Sequence, residues 1–385
     1  MGCCQTLSVL VVTALALFAT GILSRAWIQG MLHLGYQEFA GNSPMAMSPE
    51  ELRRAPYAAV PAGALDGQVC IVTGANVGLG FYTAKHLAMR GCETVVAGRR
   101  LAACEAACAS IQADLPRGSK GSCHAMPLDL GKLASVRAFT DAFVAKFDRL
   151  DALVLNAGIS FYDSLRLSAD GVEEMFAVNH LGHFAMTRDL IPLIERTAER
   201  GPVRVVVVSS AAHFMTYPDV DRRLLDVEGL KDISGADAVK EYGQSKLANV
   251  LFAQELSRRF ADKQVFVNSL NPGLVSTNIT MIGKQRMLSA FDDFPFLKPA
   301  GMAAVAIFNA FESALTFSAE EGARTQFFLA AAANVSRDRI TGKYFHPHMQ
   351  EIHPSQFARG QQGAKLGAGL WAVSERLLEE AGYGK

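Results

Sequence analysis

The sequence predicts an α/β fold, a Rossmann-type doubly wound parallel sheet in a single domain, preceded by an N-terminal membrane anchor. Two observations predict the sheet. From Gln68 onward, short β-branched or apolar runs that close on Gly, Asp, Asn, Ser or Pro alternate with stretches of helical character. The runs are apolar throughout, as strands covered by helices on both faces must be. A third observation predicts the anchor: Leu7 to Leu23, LSVLVVTALALFATGIL, carries no charge over 17 residues, at the short end of what crosses a bilayer as a helix.

The N-terminal run has no charged region before it and no small-x-small cleavage site after it, so residues 1–24 read as a retained anchor. Arg25, Arg53 and Arg54 follow the run and no basic residue precedes it, which puts the body of the chain on the cytosolic side. MGCCQT also fits the pattern for a myristoylated Gly2 with acylated Cys3 and Cys4. Residues 25–65, of mixed polarity with several Pro and Gly, read as a linker or collar.

The strand candidates are QVCIVTG, ETVVAG, CHAMPLDL, ALVLNAG, VRVVVVSS, VFVNSLNPG and GKYFHP. Helices are expected over Tyr82–Arg90, Leu101–Gln112, Leu133–Phe147, Glu173–Ile194, Glu241–Arg259 and Met302–Glu312. The folded domain then spans 66–350, and 351–385 form a helical extension. Ligand chemistry is expected at the carboxyl ends of the strands.

Lys plus Arg and Asp plus Glu both total 37, so no basic surface points to a nucleic-acid partner. The seven cysteines, at 3, 4, 70, 92, 104, 108 and 123, make no disulfide framework and read as core thiols in a reducing compartment. Neither the cysteines nor His180, His183, His346, His348 and His353 match a metal-site spacing, so no metal is expected.

TGANVGLG follows the first strand and opens the first helix. Gly74, Gly78 and Gly80 there permit a tight turn and a close approach of backbone to a pyrophosphate at the helix N-terminus. After the second strand, Gly98 is followed by Arg99 and Arg100 instead of an acidic residue. Their forked cationic donors suit a 2′-phosphate, so the cofactor expected is NADP(H). Tyr242 and Lys246 lie four residues apart on one helical face. A phenol with a pKa near 10 is a poor base, but a neighbouring ammonium favours the phenolate and makes tyrosine usable in acid–base chemistry.

TGxxxGxG, the NAG of Asn156, Ala157 and Gly158, Asn179 in FAVNHLGHF, the Ser209–Ser210 pair, YGQSK and the stretch Pro272, Gly273 and Thr277 occur in this order. Together they resemble the short-chain dehydrogenases/reductases over roughly residues 66–350. VNHLGHF, SSAAH, YGQSKLANVLF and LWAVSERL are similar to the retinol dehydrogenase branch. The resemblance implies a tetrad of Asn179, Ser210, Tyr242 and Lys246, with Ser209 as the alternative serine. It also implies cofactor contacts at Gly74, Asn76, Gly78, Leu79, Gly80, Arg99, Arg100, Asp129 (at the adenine), Asn156, Ala157, Gly158, Tyr242, Lys246, Pro272, Gly273 and Thr277.

The implied reaction is hydride transfer between NADP(H) and a lipophilic alcohol or carbonyl, a retinoid, steroid or other lipid-like molecule. Tyr242 moves the proton, Lys246 lowers its pKa, Ser210 binds the reacting oxygen and Asn179 supports a water relay. A lid at about 278–300, rich in Met and Phe, suits such a substrate. The implied location is the endoplasmic reticulum membrane with the catalytic domain in the cytosol, and a homodimer stays open. The competing readings are a reductase of a polyprenol or chlorophyll precursor, or a membrane-tethered NADP(H) sensor or scaffold.

Overall fold

The computed structural model describes residues 57, 59–160, 164–273, 275 and 317–384. The N-terminal anchor, most of the collar, the lid, Thr277 and the helix expected at Met302–Glu312 lie outside the described residues. Among those described, no helix is long and apolar enough to cross a membrane.

The first half alternates strand and helix as the sequence pattern predicts. β1 (Val69–Thr73) leads to α1 (Gly78–Met89), β2 (Glu93–Gly98) to α2 (Leu101–Ala113), and β3 (Ser122–Pro127) to α3 (Leu133–Lys146). β4 (Ala152–Leu155) then leads to α4 (Gly182–Ala198), whose approach is a short turn at Glu174–Phe176 and a π-helical turn at Ala177–Leu181. β5 (Val203–Val208) is followed by the short α5 (Val220–Leu224) and the long α6 (Ala238–Arg259), and β6 (Val265–Leu270) closes the parallel pattern. Next come α7 (Ala319–Ala331), α8 (Ala333–Arg337), β7 (Tyr344–His346), β8 (Gln350–Ile352) and α9 (Gly360–Glu380).

The eight strands form one sheet in the order β3-β2-β1-β4-β5-β6-β7-β8. All neighbours are parallel except β7 and β8. Ile71 stands opposite Val95 on one side and Leu153 on the other. Strand order reverses between β1 and β4, which opens a crevice at their carboxyl ends. The Asp151 carboxylate fixes the start of β1 by accepting the Val69 amide at 2.8 Å and is itself held by Arg149.

Each face of the sheet carries its own apolar core. One includes Val72, Val96, Leu87, Ile111, Phe266 and Phe327. The other includes Leu153, Val205, Phe184, Leu251 and Phe252, and α9 belongs to it. Leu366, Leu370, Val373 and Leu377 recur every three or four residues along α9 and are buried. Each buried aliphatic side chain contributes about 1.5–3 kcal/mol, so the helix is held by its apolar stripe. Trp371 meets Phe184 edge-on at 4.8 Å, and the Arg259 guanidinium lies 3.8 Å from its ring centroid.

The cysteines correct one expectation. Cys70 joins Cys92 and Cys108 joins Cys123, with Cα separations of 6.4 and 5.2 Å, and Cys104 is free and buried. Strand pairing and the α2–β3 contact bring these residues together across 22 and 15 positions. No spacing rule announces such pairs, because they depend on which strands become neighbours.

Candidate functional site: an acid–base pair at the switch point

β1 ends in Thr73 and turns at Gly74 in the left-handed region, φ +64°, before α1 begins at Gly78. The turn is packed against the end of β4. A Cβ on Gly74 would stand 2.9 Å from the Ala157 Cα, and one on Gly80 would stand 2.5 Å from Asn156 Nδ2. Asn156 Nδ2 donates to the Thr73 carbonyl at 2.8 Å, and its Oδ1 accepts from Gln326 of α7 at 3.2 Å. The loop is therefore shaped by glycine and braced from two other elements. Its fit to a phosphate rests on the α1 N-terminus: Val77 precedes the helix without a side-chain cap, so its first amides are open to an anion.

The predicted cofactor residues gather along the same edge. Arg99 and Arg100 are exposed after β2, and neither pairs with a carboxylate among the described residues. Asn76 reaches toward them, its Oδ1 3.5 Å from where a Cβ on Gly98 would stand. Leu79 packs against Gly322 of α7. Asp129 follows β3, and its Oδ1 accepts the Gly131 amide at 3.1 Å. Beyond β6, Asn271 Oδ1 accepts the Gly273 amide at 3.1 Å and holds the Pro272–Gly273 turn.

The tetrad residues meet in the interior. Asn179 is fully buried in the π-helical turn. Its Oδ1 accepts the Ile159 amide at 2.8 Å, while Nδ2 donates to the Ile159 carbonyl at 3.0 Å and to Ser245 Oγ at 2.9 Å. A Cβ on Gly158 would stand 3.0 Å from Lys246 Nζ and 3.2 Å from Asn179 Oδ1, so any side chain here would press on both. Lys246 Nζ lies 5.6 Å from the Tyr242 ring centroid. The Ser210 side chain lies close enough to the Tyr242 hydroxyl to favour its ionised form. Ser209 instead donates to the Lys246 carbonyl at 2.7 Å, so of the two serines it is Ser210 that faces Tyr242.

Burial governs the protonation of this pair. It pushes the Tyr242 hydroxyl up to about 12, with the Ser210 side chain acting the other way. It pushes the Lys246 ammonium down to about 8. Burial thus moves the two groups in opposite directions, the phenol up and the ammonium down, because each loses the water that favours its charged form.

Several supporting residues escaped the sequence reading. Thr73 Oγ1 accepts the Asn156 and Ala157 amides, each at 2.9 Å. Its own proton then goes to His183 Nε2, 2.9 Å away. His183 Nδ1 therefore carries a hydrogen and donates it to the Asn179 carbonyl at 3.0 Å. Burial lowers the His183 pKa to about 4, so the ring stays neutral. The four-residue interval between Asn179 and His183 was the available signal, but no local pattern marks Thr73 or Gln326 as their support. Beside Tyr242 lie Met175 and Ala212, with partly buried Ile159, Leu165 and Met215 packed on them.

A glycine-shaped helix N-terminus beside a buried tyrosine–lysine pair defines an oxidoreductase built on a dinucleotide-binding sheet. Comparison with known proteins supplies the family. Residues 68–221 match the short chain dehydrogenase family. The human WW domain-containing oxidoreductase is 35% identical over 316 residues, spanning 82% of this chain and 69% of that protein. Mouse retinol dehydrogenase 14 is 33% identical over 323 residues, spanning 82% and 87%. Among solved structures, an uncharacterized protein from Mycobacterium Paratuberculosis gives a TM-score of 0.59 at 30% identity, covering 84% of this chain and 96% of that one. The chain belongs to the short-chain dehydrogenase/reductase family, near its retinol dehydrogenase branch, and is an oxidoreductase of that family.

Proposed function

We propose that this chain is an NADP(H)-dependent enzyme that interconverts a lipophilic alcohol and its carbonyl, with Tyr242 moving the proton. The observation that carries this reading is the buried Tyr242–Ser210 contact, with Lys246 beside the tyrosine ring and apolar walls of Ile159, Leu165, Met175 and Met215 around it. A reacting oxygen in that corner meets two hydroxyls, while the body of a bulky substrate meets aliphatic and thioether side chains.

A bound nicotinamide supplies or accepts the hydride. Gly74, Asn76, Gly78, Leu79 and Gly80 would hold its diphosphate, Arg99 and Arg100 a 2′-phosphate, and Asp129 the adenine. Asn156, Ala157, Gly158, Pro272, Gly273 and Thr277 would line the nicotinamide end. Tyr242 keeps its proton at neutral pH and gives it to the carbonyl oxygen in reduction, the direction that a phenol raised to about 12 favours. Ser210 hydrogen-bonds the same oxygen, and the Lys246 ammonium steadies the phenolate that forms. The Asn179 side chain is already bonded at both atoms, so it acts by fixing the Gly158–Ile159 turn beside Lys246.

The test is NADPH oxidation by the full chain in detergent micelles, with long-chain aldehydes, retinoid and steroid carbonyls as substrates. Turnover that vanishes in Tyr242→Phe supports the reading. Tight NADPH binding without turnover on any carbonyl overturns it.

The same reading keeps the chain on a membrane through residues 7–23. Deleting that run or replacing Gly2 should release the chain from the membrane fraction, and retention in both variants would sink attachment by either route. The basic residues after the run favour a cytosolic catalytic domain, whereas the two disulfides favour an oxidising compartment. Protease protection of the full chain in sealed microsomes reads the side directly.

A further inference from the structure

Behind Ser210 runs a buried chain of hydrogen bonds that the proposed reaction does not use. His213, fully buried, sits in the 3₁₀ turn Ala211–Phe214 that Ser210 opens. Its Nδ1 is 2.7 Å from the Ser210 carbonyl oxygen, and its Nε2 is 3.0 Å from the Ser355 amide nitrogen. These two partners determine where the ring hydrogen lies. An amide can only donate, so Nε2 accepts; a carbonyl can only accept, so Nδ1 carries the hydrogen. The ring is therefore neutral and singly oriented.

Tyr344 stands edge-on to the same ring, 4.9 Å between centroids. Tyr344 Oη lies 3.4 Å from the same Nδ1 and accepts from Asn271 Nδ2 at 3.0 Å. The other end of the Asn271 amide accepts the Gly273 amide. The serine turn and the stretch after β8, distant in sequence, thus meet on one imidazole, with Tyr344 and Asn271 packed beside it.

We propose that His213 is a positioning residue: its Nδ1–H holds the Ser210 carbonyl and sets the angle at which Ser210 meets Tyr242 and the reacting oxygen. The inference rests on the role given to Ser210 above. Ser210 Oγ already accepts the Ala212 amide at 3.2 Å. With the carbonyl held as well, the serine is fixed on both sides of its Cα and its hydroxyl hydrogen is left for the site. A shift of the order of 1 Å in such a group costs about a hundredfold in rate.

The test compares three replacements in the full chain, using the carbonyl of highest kcat/KM from the substrates above. His213→Asn places an amide nitrogen near Nδ1 and keeps the donor to Ser210. His213→Gln reaches Ser355 and loses that donor, and His213→Phe keeps only the ring. The expected result is a kcat within about tenfold of wild type for Asn, and about a hundredfold loss for Gln and Phe. KM and NADPH affinity should stay within about threefold throughout, a small change in free energy. Equal losses in Asn and Gln, or losses that follow the fall in Tm instead of the donor, would overturn the inference. Ser210→Ala, measured alongside, separates the two ideas: full turnover in that variant removes the reading on which this one rests. Independently of any substrate, long-range ¹H–¹⁵N spectra of the histidine-labelled chain should find the hydrogen on Nδ1; a hydrogen on Nε2 also overturns the proposal.

Discussion

Between Gly74 and Arg100 the site is made of backbone and exposed side chains, whereas between Asn179 and Lys246 it is made of side chains that are almost wholly buried. Asn179, Tyr242 and Lys246 are 0%, 8% and 4% exposed, while Arg99 and Arg100 lie in solvent. The first region offers a shape and a charge, and its parts act nearly independently. The second is a set of interlocked bonds, in which Asn179 holds Ile159 and Ser245, Ser210 meets Tyr242, and His183 ties Asn179 to Thr73. Substitutions in the first should change cofactor affinity and add up; those in the second should change turnover and fail to add.

The largest effect that can break this contrast is in the buried region. Tyr242→Phe should lower kcat by about a thousandfold or more, with NADPH affinity measured by fluorescence left intact. An equal loss of NADPH affinity would erase the distinction between the two regions.

Next comes the buried ammonium. The Lys246 pKa is about 8 in the folded chain against an ordinary 10.5. Between those values the folded state holds fewer protons than the unfolded one, so stability rises with pH across that window. Below about pH 8 the cost of the buried charge is fully present, on the order of 3 kcal/mol. Lys246→Met should therefore be stabilised relative to wild type most strongly below pH 8, and the gap in Tm should close toward pH 10.5. A gap that does not change with pH would mean that the lysine is not desolvated.

Gly80→Ala sharpens the other side. Its Cβ would press on Asn156 Nδ2 and the Gly74 carbonyl oxygen, at 2.5 and 2.6 Å. The overpacking should cost about 1–3 kcal/mol, a drop of several degrees in Tm, together with weakened NADPH binding. The smallest effect is at the surface. Arg99→Ala should reduce the preference for NADPH over NADH by about tenfold, as loss of a charged hydrogen bond does, and leave kcat unchanged. If the two dinucleotides bind wild type alike, the arginines have no such role.

Which parts were legible follows from the same contrast. The strands, the helices and the glycine turn are written locally, because apolar runs and φ above zero constrain residues near one another in the chain. Tyr242 and Lys246 were legible for the same reason, one helical turn apart. The bracing of Asn156 by Gln326, 170 positions away, was not. Neither was the choice of Ser210 over Ser209 on physical grounds, nor the disulfide between Cys70 and Cys92, since each depends on chain crossings that no local spacing encodes. The loss of water that shifts Tyr242 and Lys246 is likewise set by the whole fold and is not written in their spacing.

The C-terminal helix has a consequence for how the chain is made. α9 covers α4 and α6, the helices adjoining Asn179 and carrying Tyr242, through Trp371 on Phe184 and Phe252, and Ser374 Oγ lies 3.0 Å from His180 Nε2. α9 is translated after every strand and motif of the site, so the sheet and both helices emerge with an apolar flank bare until it arrives. A chain cut before Gly360 would hold every motif, with that flank open to water.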